Sequence, residues 1–196
     1  MKALTFSAIL LLMTALTACS GSTDENQADT GEQNVSNQQQ AQIQQQESQI
    51  PYNFRLEMET LLEHYFDLKN AVVTSEMPAA KEAAKELSAY TTEVMDEVLE
   101  AENQGLWLGI ARIIRTESDK LISTDSLEDM RIYFEHISRT VIRIADSFDP
   151  AGDPYYLMEC DEAAIGEGQW LSRDEEIRNP YQTSADVSCG EILEEF

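Results

Sequence analysis

The sequence contains few of the residues from which active sites and nucleic-acid interfaces are built. Among 196 residues there are only two histidines, three cysteines and eight glycines, and 13 basic side chains stand against 37 acidic ones. The net charge of −24 repels phosphate backbones, which argues against a nucleic-acid-binding protein. Glycine-rich phosphate loops, calcium-binding loops, serine nucleophile motifs and Cys-x-x-Cys pairs are all missing from the sequence.

These shortages predict a protein that is not an enzyme. His64 and His136 stand singly in helical stretches, and we interpret both as helix-surface or half-buried residues rather than ligands. A hydrolase with paired carboxylates remains an alternative, but the abundance of acidic residues makes any such pair uninformative. Hydrophobic residues make up 42% of the chain, which is enough for one packed core.

The N-terminus has the pattern of an export signal. Lys2 is followed by an apolar stretch that ends near Met13 and is too short to span a bilayer, which takes about 20 residues. The next residues, Leu16-Thr17-Ala18-Cys19, resemble the lipobox of bacterial lipoproteins. That resemblance implies cleavage of residues 1–18, a diacylglycerol on the Cys19 thiol and an acyl chain such as palmitate on its amine. An ordinary signal peptide with an incidental cysteine is the alternative.

A lipid anchor would place the protein in the cell envelope. Several acyl chains hold a protein on a membrane from which a single chain dissociates. Ser20 after the cysteine resembles lipoproteins that are sorted to the outer membrane and face the periplasm. Residues 19–50 are rich in glutamine and contain no basic residue, which predicts a flexible tether with a reach of about 30 Å.

The remaining residues, 51–196, are predicted to form the folded domain. Apolar residues recur at three- and four-residue spacing in four successive stretches, and the last of these ends near residue 148. The second stretch is predicted to begin at Pro78 and to run to Val98, with a stop at Asn103-Gln104-Gly105. We therefore predict an all-α fold, an antiparallel up-and-down four-helix bundle with an irregular C-terminal segment over residues 149–196.

The C-terminal segment carries the chemistry that is unusual for this chain. Residues 146–196 contain 14 acidic residues against two arginines, together with the two cysteines of the predicted mature domain, Cys160 and Cys189. In an oxidising compartment such a pair usually forms a disulfide. The alternative is that both are thiolate ligands of a metal ion, helped by nearby carboxylates.

Local patterns suggest how this segment attaches to the bundle. Ser172 and Glu175 have the spacing of a capping box, which predicts a short helix that Asn179-Pro180 would end. Trp170 and Tyr181 are then predicted to pack against the bundle end.

These residues together resemble a known family. Leu61 to Ala71, Cys160, Trp170-Leu171-Ser172, Ile177 to Tyr181 and Cys189-Gly190 are similar to the domain of unknown function 3347, over residues 57–192. The resemblance implies an exported helical protein. Because similar domains occur in adaptor subunits of copper and silver efflux systems, it also implies a metal-related role and an efflux or envelope protein as partner.

The chain departs from that family at the positions that would bind copper(I). The family has His-Cys-Pro-Met-Ala where this chain has Glu159 to Ala163, and a methionine where this chain has Asp186. Carboxylates prefer harder cations. The cysteines are therefore expected either to form a disulfide without a metal or to belong to a site with a changed metal preference. The candidate metal-binding residues are Cys160, Cys189, Glu159, Glu162 and Asp186.

Overall fold

The computed structural model describes residues 50–161, 165–166, 168–182 and 188–196. The predicted signal, Cys19 and the tether up to residue 49 lie outside the described residues, as do Glu162 and Asp186. Four helices dominate: α1 (Tyr52–Val73), α2 (Met77–Tyr90), α3 (Ala101–Ser123) and α4 (Leu127–Phe148). Each packs on the next and α1 also contacts α4, which confirms the four-helix bundle. None of the described helices is both long and apolar enough to span a membrane.

Helix α1 shows why the sequence forms a bundle. Its residues at three- and four-residue spacing, which include Phe54, Leu61 and Tyr65, are fully buried.

The turn after α1 is held by a side chain of α4, because the Arg131 guanidinium donates to the Ser75 hydroxyl at 2.7 Å. Arg131 is itself buried although it lies near the start of α4. The end of α4 is the predicted one, at Phe148, where Asp149 takes a left-handed conformation with φ 47°.

The connection between α2 and α3 differs from the prediction. Helix α2 ends at Tyr90, because the hydroxyls of Thr91 and Thr92 donate to the carbonyls of Ser88 and Ala89 at 2.7 and 2.8 Å. A 3-10 turn at Asp96–Val98 leads into α3. The expected stop at 103–105 was therefore wrong, and these residues belong to the first turns of α3.

A small sheet follows the bundle, in the segment that was predicted to be irregular. Strands β1 (Tyr156–Glu159), β2 (Gln169–Ser172) and β3 (Glu191–Glu195) pair antiparallel in the order β2-β1-β3. The short helix predicted after Ser172 was wrong. The Ser172 hydroxyl accepts the N–H of Asp174, two residues on, and forms a turn in place of a capping box. Strand β2 lies against α4, so the sheet covers one side of the bundle.

Candidate functional site

The two cysteines of the domain lie at the base of the sheet. Cys160 follows β1 and Cys189 precedes β3, and the structure joins them in a disulfide with a Cα–Cα distance of 5.7 Å. Cys160 is 2% exposed, whereas Cys189 is half-buried. The disulfide forms part of a depression of about 210 Å³, which is lined by Glu159, Cys160, Asp161, Cys189, Gly190 and Glu191.

Gly190 is required by the backbone at this point. Its φ is +146°, in a region that favours glycine, and a Cβ would lie 2.9 Å from both the Glu159 carbonyl oxygen and the Trp170 ring. Trp170 is fully buried. The tryptophan ring therefore packs directly under the chain that carries Cys189, as the predicted packing role of Trp170 requires.

Asn179 and Tyr181 attach the disulfide segment to the sheet. Asn179 is fully buried, and its amide donates to the Cys189 carbonyl at 3.3 Å. Its side-chain oxygen accepts the Tyr181 N–H at 2.8 Å, across Pro180. The Tyr181 hydroxyl donates in turn to the Gln169 carbonyl at 2.5 Å. Asn179 and Tyr181 thus connect the Cys189 backbone to β2 through hydrogen bonds.

A second set of hydroxyls connects the same carbonyl to the bundle. Ser138 on α4 donates to the Gln169 carbonyl at 3.1 Å and also bonds the Tyr65 hydroxyl at 2.7 Å. The Tyr65 oxygen accepts the Leu171 N–H at 3.2 Å. Burial raises the pKa values of Tyr65 and Tyr181, so both phenols stay protonated over the physiological range. The outer edge of β2 is therefore bonded to side chains of the bundle.

Lys69 is a buried cation that sequence analysis missed. It is 2% exposed, and its ammonium donates to the Ser172 hydroxyl at 3.0 Å. Desolvation lowers the pKa of Lys69 to about 8, although the charge of Asp174 opposes this effect. The available signal was its spacing, because Lys69 lies one turn after Tyr65 on the buried side of α1.

Arg173, which directly follows Ser172, fixes the same end of β2 to α1. Its guanidinium contacts Glu59 at 2.5 Å, Glu63, and the carbonyls of Asp153 and Pro154. It also lies over the Phe66 ring, 5.0 Å from the centroid. Lys69 and Arg173 therefore attach two neighbouring residues at the end of β2, Ser172 and Arg173, to α1.

The predicted metal-binding residues do not all fall within the described chain. Cys160 and Cys189 are joined to each other, and the Glu159 carboxylate accepts the Gln169 side-chain amide at 2.8 Å. Glu162 and Asp186 lie outside the described residues. Over residues 50–161 and the described parts of the C-terminal segment, no group of three or more His, Cys, Asp or Glu side chains is arranged to hold a metal ion.

Comparison with known proteins gives one match. Residues 61–153 match the model of the family described as Protein of unknown function (DUF3347). No curated protein and no solved structure matches the chain. The match runs from within α1 to just beyond α4 and ends before β1, which is shorter than the span of 57–192 expected from the sequence. The disulfide and the motif around Asn179 thus lie outside the matched residues.

Proposed function

Because residues 61–153 make this chain a member of the DUF3347 family, we propose that it is a lipid-anchored envelope protein whose domain, stapled by a disulfide, serves as an interaction module. Cys19 would carry the lipid, and residues 19–50 would hold the domain away from the membrane surface. The outer membrane, on its periplasmic side, is the location that Ser20 favours. The role we propose is not catalytic.

The observation that carries this proposal is the Cys160–Cys189 disulfide. Disulfides form and persist in exported proteins, whereas cytosolic thiols are kept reduced. An oxidised pair therefore agrees with the export signal expected from residues 1–18. The same bond removes both thiolates from the set of metal ligands, since a metal binds the deprotonated thiol and not the disulfide.

The hydroxyl groups beneath the sheet also favour a structural role. Tyr65, Ser138 and Tyr181 bond each other or the backbone of β2, and each has its partner inside the fold. Side chains so engaged are not available to a substrate. They hold the C-terminal segment on the bundle, which presents its acidic surface to a partner.

A metal-related role, as an accessory of an efflux system, is the second candidate. It is favoured by the acidic lining of the depression at the disulfide, where the described residues Glu159, Asp161 and Glu191 would attract a cation without forming a preassembled ligand set. Such oxygens suit hard cations, in contrast to copper(I). On this candidate the partner would be a metal-efflux protein of the envelope.

The anchor is tested by changing Cys19. In bacteria that express the full chain, we expect the protein in the membrane fraction and labelled by radioactive palmitate. Cys19→Ser should abolish the label, because no thiol remains to accept the diacylglycerol. Ser22→Ala is the matched control and should behave as the parent. A label that persists in Cys19→Ser, or a parent without label, would contradict the anchor.

The two candidate roles are separated by counting thiols and metal on the purified protein. We expect no free thiol at Cys160 or Cys189 in denaturant before reduction, and two afterwards. After dialysis against copper and then zinc, the oxidised protein should retain less than about 0.1 equivalent of either. Retention of about one equivalent, lost in Glu159→Gln, would instead support the metal-related role.

A further inference from the structure

A groove between α3 and α4 has a different charge from the rest of the molecule. It has a volume of about 450 Å³ and is lined by Ile113, Glu117, His136, Arg139, Thr140 and Arg143. The volume falls within the usual range for small-molecule sites, about 300–1,000 Å³. In a chain of net charge −24, a groove with two arginines and a histidine is unexpected.

The carboxylates at this groove are already neutralised. Glu117 is 8% exposed and contacts two basic groups, His136 at 2.9 Å and Lys120 at 2.7 Å. Glu135 is also buried, and it lies 3.7 Å from Arg139. The turn at Gly166 packs so closely on Glu135 that a Cβ there would lie 2.4 Å from its Cγ. Glu135 is therefore held in place, and it orients Arg139 beside the groove.

One positive charge remains uncompensated. Arg143 lies one turn beyond Arg139 on the same side of α4, is exposed, and has no hydrogen bond or ion pair within the part of the chain that the structure describes. Of the two arginines that line the groove, only Arg139 therefore has a carboxylate partner among the described residues.

Ile113 on α3 gives the opposite wall of the groove an apolar surface. Gly109 lies one turn before Ile113 on α3, and a Cβ built on it would meet no atom within 4 Å. A glycine inside a helix makes the helix less stable than an alanine would, and no neighbouring atom requires a glycine at this position. The surface of α3 next to Ile113 therefore leaves room for the apolar body of a ligand.

We propose that this groove binds an organic phosphate: a dianionic head group between Arg139 and Arg143, with an apolar body along Ile113 and Gly109. Guanidinium groups match phosphate oxygens through paired hydrogen bonds. Two arginines match the two negative charges of a phosphate monoester better than the single charge of a carboxylate ligand. Lipid-derived and soluble phosphate monoesters share this chemistry.

The test uses hexyl phosphate as the probe, in isothermal titration calorimetry on the full chain that carries Cys19→Ser. We expect saturable binding to one site, with inorganic phosphate about tenfold weaker because it lacks the apolar body. Arg143→Gln should lower the affinity for hexyl phosphate about tenfold. Gly109→Leu should lower it as much by filling the groove, while the melting temperature stays equal or rises.

The matched control is Arg112→Gln, which removes the same charge from an exposed residue of α3 that does not line the groove. Its affinity should stay within about twofold of the parent, because salt screens distant charges. An equal loss in Arg112→Gln and Arg143→Gln would show unspecific attraction and overturn the proposal. So would the lack of saturable binding, or inorganic phosphate binding as tightly as hexyl phosphate.

Discussion

Replacing both Cys160 and Cys189 by serine should lower the free energy of unfolding by about 3.6 kcal/mol. The bond closes a loop across a sequence separation of 29 residues, and the chain-entropy model relates that loop length to this stabilisation. Urea denaturation of the full chain measures the change. We expect a lower midpoint and a larger dependence of the free energy on urea, because the unfolded chain without the crosslink is more open.

The loss should be greatest at β3, whose five residues are all exposed. Without the disulfide, β3 is held by its pairing with β1, by the contacts of Phe196 with Tyr155, and by the Asn179 amide on the Cys189 carbonyl. Amide hydrogen exchange should therefore quicken at Ile192 and Glu194 and change less in α1. Cys19→Ser is the matched control, since it removes a cysteine outside the loop and should leave stability unchanged. A loss under about 1 kcal/mol in the double variant would show that the loop is restrained by other contacts.

Between pH 8 and pH 9 the domain should become more stable as the pH rises. Lys69 has a pKa of about 8 in the folded state, against 10.5 for an ordinary lysine, because its ammonium is buried. In this interval the unfolded chain binds a proton that the folded chain does not bind, so raising the pH favours the folded state. Each pKa unit corresponds to about 1.4 kcal/mol, and the Lys69 ammonium of the folded chain is largely deprotonated by pH 9, which gives a gain of about 1 kcal/mol between pH 8 and pH 9.

Lys69→Met should abolish this rise, because it replaces the ionisable group with an apolar side chain of similar length. At pH 7 the variant should be at least as stable as the parent, since no charge remains to be desolvated. Lys85→Met removes a lysine from an exposed ion pair with Glu82 and should keep the rise. The raised pKa values of the tyrosines, among them Tyr65 and Tyr181, reduce stability mainly above about pH 9, where the tyrosines of the unfolded chain begin to ionise. If Lys69→Met kept the rise, another group would be its source.

The helices could be predicted because their signal is local. The buried residues of α1 and α4 recur with the helical period, and Ser126 caps α4 by accepting the Asp129 N–H at 3.1 Å. The sheet could not be predicted in this way. Its strands have four or five residues, and β3 consists largely of glutamate. What holds β2 is distant in sequence, since Leu171 bonds Tyr65 across 106 residues.

The candidate site could also be predicted only in part, because some of its contacts join residues that are distant in the sequence. Cys160 and Cys189 could be paired because the domain has no other cysteine, and Trp170, Asn179 and Tyr181 were expected to pack. The groove at Arg139 and Arg143 was missed, because in the sequence these residues resemble any charged helix surface. The structure places Glu117 against His136 and Glu135 near Arg139. Only these contacts show that the two carboxylates have basic partners while Arg143 has no acidic one among the described residues.

The Gln169 carbonyl oxygen limits which combinations of helices and C-terminal segments can fold together. It accepts hydroxyls from Ser138 in the bundle and from Tyr181 near the disulfide, so residues far apart in the sequence must suit one acceptor. A chimera that joins the helices of one homologue to the C-terminal segment of another would leave this oxygen with mismatched donors. Exchange between relatives should therefore succeed only when Tyr65, Ser138 and Tyr181 are inherited together.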